Sequence, residues 1–449
     1  MRKTMNENSG KVKRATAGGM ALVMTALLLT ATGCVSTEEK EKQAFVPALD
    51  TEASVVINVA GGYDNFPSLE TVALDFNEYY PNVMINYSKV DDYTNVRDML
   101  LVDNPEVDIF MANNTWVKNS EIVEDVAVDL TDEQWNFDLS ALDEGVIESA
   151  QSADGSLYRL PLYSTCTGLI VNVTLLEENG LDIPTNYEEF VNCCETLQAA
   201  GYMPIYGYDA DGKLNLSQGL YQGMVMTLAA QADGDHATAA ALNLEASGAE
   251  SIYLEGLKQV EAFSKLGYYS KETNAEITDS YESAILRFFE GDVPFLAATT
   301  ETMSGTAKRE SKSENFTANP FTYTFIGTPL GEDGAYVYVN CSEGLALNQN
   351  GANLEYAAEF LRFYCQVEEL NRSADAKGML STSCEASTAE AFPDLVLQEG
   401  YVSYISDFYL ETYPSKTINE IIRRVSDDGV PAETALESYG EVLESVKAQ

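Results

Sequence analysis

Histidine occurs once in this 449-residue chain, at His236. Basic residues are also scarce: 26 Lys and Arg stand against 71 Asp and Glu, a formal net charge of −45. Such a surface repels phosphate backbones, which argues against nucleic acid as a partner. It also opposes adsorption to an anionic bilayer. One histidine and seven cysteines without a C-x-x-C pair leave no zinc site of ordinary composition, so no metal is expected. No G-x-S-x-G, H-E-x-x-H or P-loop is present. With no motif for nucleophile, metal or phosphate, no cofactor is expected, and the chain is not expected to be an enzyme. A spanning helix needs about 20 apolar residues, and no run of that length occurs.

What is present is the material of a large folded protein. Hydrophobic residues make up 45% of the chain, and the length suits two domains. Aromatics are chosen unevenly: 26 Tyr and 17 Phe against 2 Trp. Tyrosine joins an apolar ring to a hydroxyl, so it suits half-wet walls as well as core edges.

The first 34 residues read as an export signal. Five basic groups and one acid give residues 1–33 a net charge of +4, which leaves −49 on the remainder. The apolar stretch Met20–Thr30 follows, too short to span a membrane, and Ala31-Thr32-Gly33-Cys34 closes it. Small residues before a cysteine resemble the lipobox of bacterial lipoproteins, with Ala31 where Leu is usual. The resemblance implies cleavage after residue 33, a lipid on Cys34, and residence on the outer face of the cell membrane. Residues 34–53 are rich in Glu, Lys and Thr and are expected to form a flexible tether. The other six cysteines are expected to be buried thiols.

Beyond the tether, strands and helices alternate. Ser54–Ala60 reads as a strand, Leu69–Tyr80 as an amphipathic helix, Val83–Val90 as a second strand, Tyr93–Val102 as a helix and Glu106–Ala112 as a third strand. This order predicts a parallel sheet with helices on its faces, and ligands then sit beyond the carboxyl ends of the strands. That places Tyr63, Asp64, Asn65 and Phe66 after the first strand in a candidate site, with Asn113, Asn114 and Trp116 after the third. A second such stretch begins near Gly168, with a helix over Asn186–Ala200 and a strand over Met203–Tyr208. Helical patterns follow at 217–232 and 250–266, and amphipathic ones at Lys416–Ser426 and Pro431–Lys447.

Several segments, in this order, resemble the extracellular solute-binding proteins of ABC importers, in the group that includes maltose-binding and other sugar-binding proteins. They are Phe76-Asn-Glu-Tyr-Tyr-Pro81, Asn104-Pro-Glu-Val-Asp-Ile-Phe110, Leu160–Tyr163 through Leu169–Asn172, Gly180–Phe190, Phe289–Phe295, Glu343-Gly-Leu-Ala346 and Tyr356–Tyr364. The resemblance implies a two-lobed periplasmic-binding-protein-like α/β fold with a hinge. Crossings would fall near 163–168, 340–346 and 378–384. One lobe would comprise 54–163 plus 346–378, the other 168–340 plus 385–449. It further implies a monomer that closes on a small solute and presents it to permease subunits.

Sugar binders of that group stack rings on aromatic faces and hold hydroxyls with carboxylates and amides. The resemblance adds Thr165 in the first crossing, Tyr206, Tyr208 and Tyr221 from the second lobe, and Glu301, which stands where an aromatic stacking residue is usual. Trp116 and Tyr221 serve equally well as core residues, Asn113 and Asn114 as turn residues, and Glu301 as a solvated acid. Rival readings remain open: a surface glycoside hydrolase using two carboxylates, an adhesin, or a receptor for a polyamine, polyol or peptide.

Overall fold

The strand β1 (Val55–Gly61) begins the sheet, its β-branched residues favouring extended backbone and Ile57 and Val59 turned together into the core. Pro67 then starts helix α1 (Pro67–Tyr79), which buries Leu69, Val72 and Phe76 on one side. The chain returns as β2 (Val83–Lys89), parallel to β1 with Val55 opposite Val83. The strand β3 (Ile109–Asn113) lies parallel on the other side of β1. This is the parallel start that the alternating pattern predicts.

The structure is a computed structural model describing residues 45–90, 99–101, 106–113, 123–152, 155–207, 220–232, 237–244, 248–269, 281–332, 334–385, 392, 395, 402–405 and 410–448. The expected helix over Tyr93–Val102 falls mostly outside them, as do Cys34, Asn114, Trp116, Tyr208 and His236.

Two long strands organise the remainder. They are β4 (Leu160–Asn172) and β8 (Tyr336–Leu347), and they run antiparallel. The shorter strands are β5 (Ile205–Tyr206), β6 (Phe295–Thr299), β7 (Tyr323–Ile326), β9 (Leu380–Ser381) and β10 (Val402–Ile405). Among the described residues the order is β2-β1-β3-β8-β4-β6-β5, with β10 on β8 and β7 and β9 on β4.

The core divides where these strands cross. Leu160, Leu162 and Tyr163 of β4 pack with Ile57, Val59, Ile109, Phe76, Leu345 and Leu361. Alternate residues of the same sheet, Ala60, Phe110, Ala112 and Ala346, pack on its other face. From Cys166 onward the partners change. Leu169 and Val171 join Phe190, Phe263, Phe295, Ile421 and Ile422, while Cys166 and Ile170 join Phe288, Phe289, Leu296 and Phe325. One strand thus serves two bodies, with its apolar alternation continuing in both.

Between the bodies the β4–β8 ladder is irregular. Its register shifts between Pro161 and Tyr163 and again between Tyr163 and Thr165. Bulges bend a strand and interrupt its pairing, which suits a hinge. Thr382 closes a third crossing by donating its hydroxyl to the Pro161 carbonyl at 3.0 Å. Three strands meet at this point: Tyr163 of β4 pairs with Glu343 of β8 and with Ser381 of β9.

Two expectations need correction. Residues 45–53 lie within the expected tether, yet they are packed. The Phe45 ring lies 5.4 Å from Tyr79 and 5.1 Å from Phe363, and the Ala48 N–H donates to Glu359 Oε1 at 2.8 Å. An aromatic ring and a buried carboxylate capture the chain earlier than its polar composition suggests. Of the six cysteines, five are buried, but Cys384 is exposed. It lies just beyond β9, where the third crossing leaves the sheet. No disulfide forms among these residues.

Candidate functional site

Gly61 and Gly62 carry the chain off β1 into Tyr63. A Cβ at Gly61 would lie 2.4 Å from the Met111 sulfur, so the close approach of β3 requires glycine there. Tyr63 is then pinned through its backbone. Its N–H donates to the Tyr87 hydroxyl at 2.9 Å, and the same hydroxyl donates to the Tyr63 carbonyl at 2.9 Å. The Tyr63 ring rests edge-on against buried Phe66 at 5.3 Å.

The Tyr63 hydroxyl reaches the crossing strands. It donates to Glu343 Oε2 of β8 and accepts from the Tyr163 hydroxyl of β4 at 2.8 Å. Glu343 stands opposite Asn113 of β3 on one side and Tyr163 on the other. Burial, with Tyr163 and Glu343 beside it, pushes Tyr63 far above the ordinary phenol range. Burial likewise raises Tyr163. Both phenols therefore keep their protons, and the chain of donation runs from Tyr163 to Tyr63 to the Glu343 carboxylate.

Two further charges face this group. Lys377 ends helix α2 (Val367–Lys377), and its Nζ sits 3.8 Å from the centroid of the Tyr63 ring, a cation–π seat. Glu301 lies in the first turn of the short helix Thr300–Thr306, whose Thr299 cap accepts from the Thr302 N–H. Glu301 is open to solvent, yet its carboxyl is raised by desolvation and by the Glu343 charge, with Lys377 opposing. Lys377 is lowered by burial, with Glu301 and Glu343 acting against that shift. The site thus gathers two phenols, two carboxylates and one ammonium where β4 and β8 cross.

Of the residues expected from sequence, Tyr63, Asn113, Thr165 and Glu301 converge on this region. Thr165 pairs with Asn340 one step past Tyr163. Asp64 and Asn65 turn outward, and the Asp64 side chain, 85% exposed, pairs with Lys89 at 2.7 Å. Phe66 belongs to the core. Tyr206 and Tyr221 are corrected. Tyr221 is 2% exposed and packs 6.0 Å from Phe263, and Tyr206 is buried under Arg287. Their hydroxyls gave them an amphipathic look, but the second body is large enough to bury the whole ring. Sequence reasoning missed Tyr163, Glu343 and Lys377 as site residues. The signals were weak: Glu343 is an acid inside an apolar strand, and Lys377 immediately precedes Gly378, whose φ of +71 ends the helix.

Residues 61–366 match the model of the bacterial extracellular solute-binding proteins. The chain belongs to that family. Solved structures of similar shape include a chitin oligosaccharide binding protein, at 16% identity and a TM-score of 0.62 over 88% of this chain and 100% of that one. Maltose-bound MalE3 of T. maritima matches at 17% identity and 0.59 over 88% of this chain and 100% of that one. The sugar-binding protein MalE from Xanthomonas citri matches at 15% identity and 0.62 over 88% and 97%. At these identities the likeness shows the fold, two α/β lobes joined by a hinge. As a solute-binding protein the chain works outside the cell, taking a small molecule to the permease of an ABC importer.

Proposed function

We propose that this solute-binding protein captures a carbohydrate between its lobes and does no chemistry on it. The carrying observation is the cluster Tyr63, Tyr163, Glu343, Lys377 and Glu301 at the strand crossing. A pyranose offers a rim of hydroxyls, and this cluster offers charged donors and acceptors to match it. Sugar ligands in the names of several structures of this fold support the reading. The proposed division is 54–163 plus 346–378 for one lobe and 168–340 plus 385–449 for the other, which agrees with the change of core partners along β4. Tyr63, Asn113, Thr165, Glu343, Glu301 and Lys377 form the proposed site, with buried Tyr163 donating to the Tyr63 hydroxyl. Asn114 and Trp116 remain candidates from sequence.

A cationic ligand such as a polyamine is the second reading, favoured by the two carboxylates. Lys377 weighs against it, because it already occupies the Tyr63 ring face and supplies the positive charge facing Glu301 and Glu343. Calorimetry against mono- and oligosaccharides and against spermidine separates the two. A sugar should bind with little salt dependence. Binding of spermidine but of no sugar would overturn the assignment.

The protein is further proposed to be a monomer held at the outer face of the membrane by lipid on Cys34. No helix among the described residues is long and apolar enough to cross a membrane. Cys34→Ser should move the protein from the membrane fraction to the medium, and retention would count against the anchor.

A further inference from the structure

The charges at the crossing come from different bodies. Lys377 ends a helix whose Leu370 and Ala374 lie in the core of the first. Glu301 precedes Met303, which packs on the core of the second. Their helices touch: the Ser304 hydroxyl donates to the Lys377 carbonyl at 3.1 Å, and Ser304 follows Glu301 by one helical turn, on the same face. A Cβ at Gly378 would lie 2.8 Å from the Ser304 hydroxyl, so the contact is close.

Despite this proximity, Lys377 and Glu301 do not bond to each other. Among the described residues, Lys377 Nζ has no hydrogen-bond acceptor and only the Tyr63 ring beneath it. Glu301 has no donor among them. Glu343, by contrast, already accepts from Tyr63. An ammonium from one lobe and a carboxylate from the other therefore stand near one another without bonding. Glu301 is open to solvent and Lys377 is partly so, so a ligand gains there only by matching the hydrogen bonds that water can make, with an acceptor for Lys377 and a donor for Glu301.

We propose that Lys377 and Glu301 form a divided donor–acceptor pair that grips a vicinal diol and selects neutral sugars over their amino and carboxylate analogues. One diol oxygen accepts from Lys377 and the neighbouring hydroxyl donates to Glu301. A uronate would gain at Lys377 but meet the repulsion of Glu301 and Glu343. An amino sugar would gain at Glu301 but meet the repulsion of Lys377. Only a neutral diol meets neither penalty.

The inference rests on the carbohydrate reading, and the test separates their failures. The chain and its Lys377→Met and Glu301→Gln variants are titrated with glucose, glucosamine and glucuronate and with the corresponding galactose series. Competition at millimolar sugar keeps weak ligands measurable, and circular dichroism verifies folding. The unaltered chain should favour a neutral sugar by about tenfold or more over both analogues, the scale of one charge-assisted hydrogen bond. Lys377→Met should shift the ratio about tenfold toward the amino sugar, and Glu301→Gln toward the uronate. If neither these sugars nor the oligosaccharides of the calorimetric series bind the unaltered chain, the carbohydrate reading fails and the inference with it; if only oligosaccharides bind, the inference alone is overturned. If a neutral sugar binds but the ratios do not move in the variants, or a variant binds none of the six, only the inference is overturned.

Discussion

Single side chains at the crossing hold more than their own place. Removing the Tyr63 hydroxyl would leave Glu343 Oε2 without its donor and Tyr163 without its acceptor. Tyr63→Phe should lower stability by about 1–3 kcal/mol, the usual cost of stranding a buried acceptor, in urea unfolding. Tyr163→Phe should cost less, since it strands no carboxylate. Elsewhere, Glu369 lies 6% exposed between α1 and α2, and burial pushes its carboxyl up to about 7. Arg372 acts against that shift but is drawn to Asp75, while Asp75, Glu368 and Glu78 add to it. A carboxyl raised in the folded state binds more protons there than in the unfolded chain. Its contribution is full below about 4.5 and is lost as pH rises through about 7. Glu369→Gln should therefore raise stability at pH 8 by up to about 3 kcal/mol and flatten its pH dependence between 4.5 and 7. An unchanged pH profile in thermal melts would show that the buried carboxyl does not govern it.

The elements most sensitive to change are β4 and β8, because both lobes share them. Gly168 lies under the Ile326 carbonyl, where a Cβ would come within 2.2 Å. At Gly344 a Cβ would come within 2.4 Å of the Leu160 carbonyl. Both contacts are with backbone of a neighbouring strand, which cannot rotate aside. Gly168→Ala should destabilise by about 1–3 kcal/mol or more, as overpacking does. Gly440→Ala, with nothing within 4 Å of the added carbon, is the control and should be nearly neutral. Equal melting temperatures for the two would refute the steric argument. The same strands show what a sequence hides. The helices over 67–79 and 187–199 and the strands over 55–61 and 83–89 were legible because each carries its own periodicity and a local stop or cap, such as Asn186 accepting from the Glu189 N–H. The sequence reading found β4 and β8 only as crossing fragments. Polar residues such as Ser164, Thr165 and Glu343 interrupt their apolar runs where the hinge needs them. The site was legible in half: Tyr63 lies just past one strand and Asn113 is the last residue of another, a local rule, whereas Tyr163, Glu343 and Lys377 come together only through pairings between positions far apart in the chain.

For the whole molecule, charge and anchoring set the terms. A formal charge of −45 repels itself more strongly in the folded state than in the expanded chain. Adding sodium chloride from about 10 mM to 500 mM should therefore raise the melting temperature, since the Debye length falls from about 30 Å to a few ångströms. A fall would mean that surface ion pairs outweigh the repulsion. The packing of Phe45 and Ala48 carries a mechanical consequence. With lipid on Cys34, as proposed, residues 35–44 separate the lipid from Phe45. At about 3.3–3.6 Å each they reach some 35 Å at most. Among the described residues, a pull on the N-terminal side is taken up at Phe45 and Ala48 by α1 and the helix Leu354–Tyr364, through Tyr79, Phe363 and Glu359. None of these belongs to the crossing strands. A pull from the membrane therefore loads one lobe as a rigid handle, and the other stays at liberty to swing.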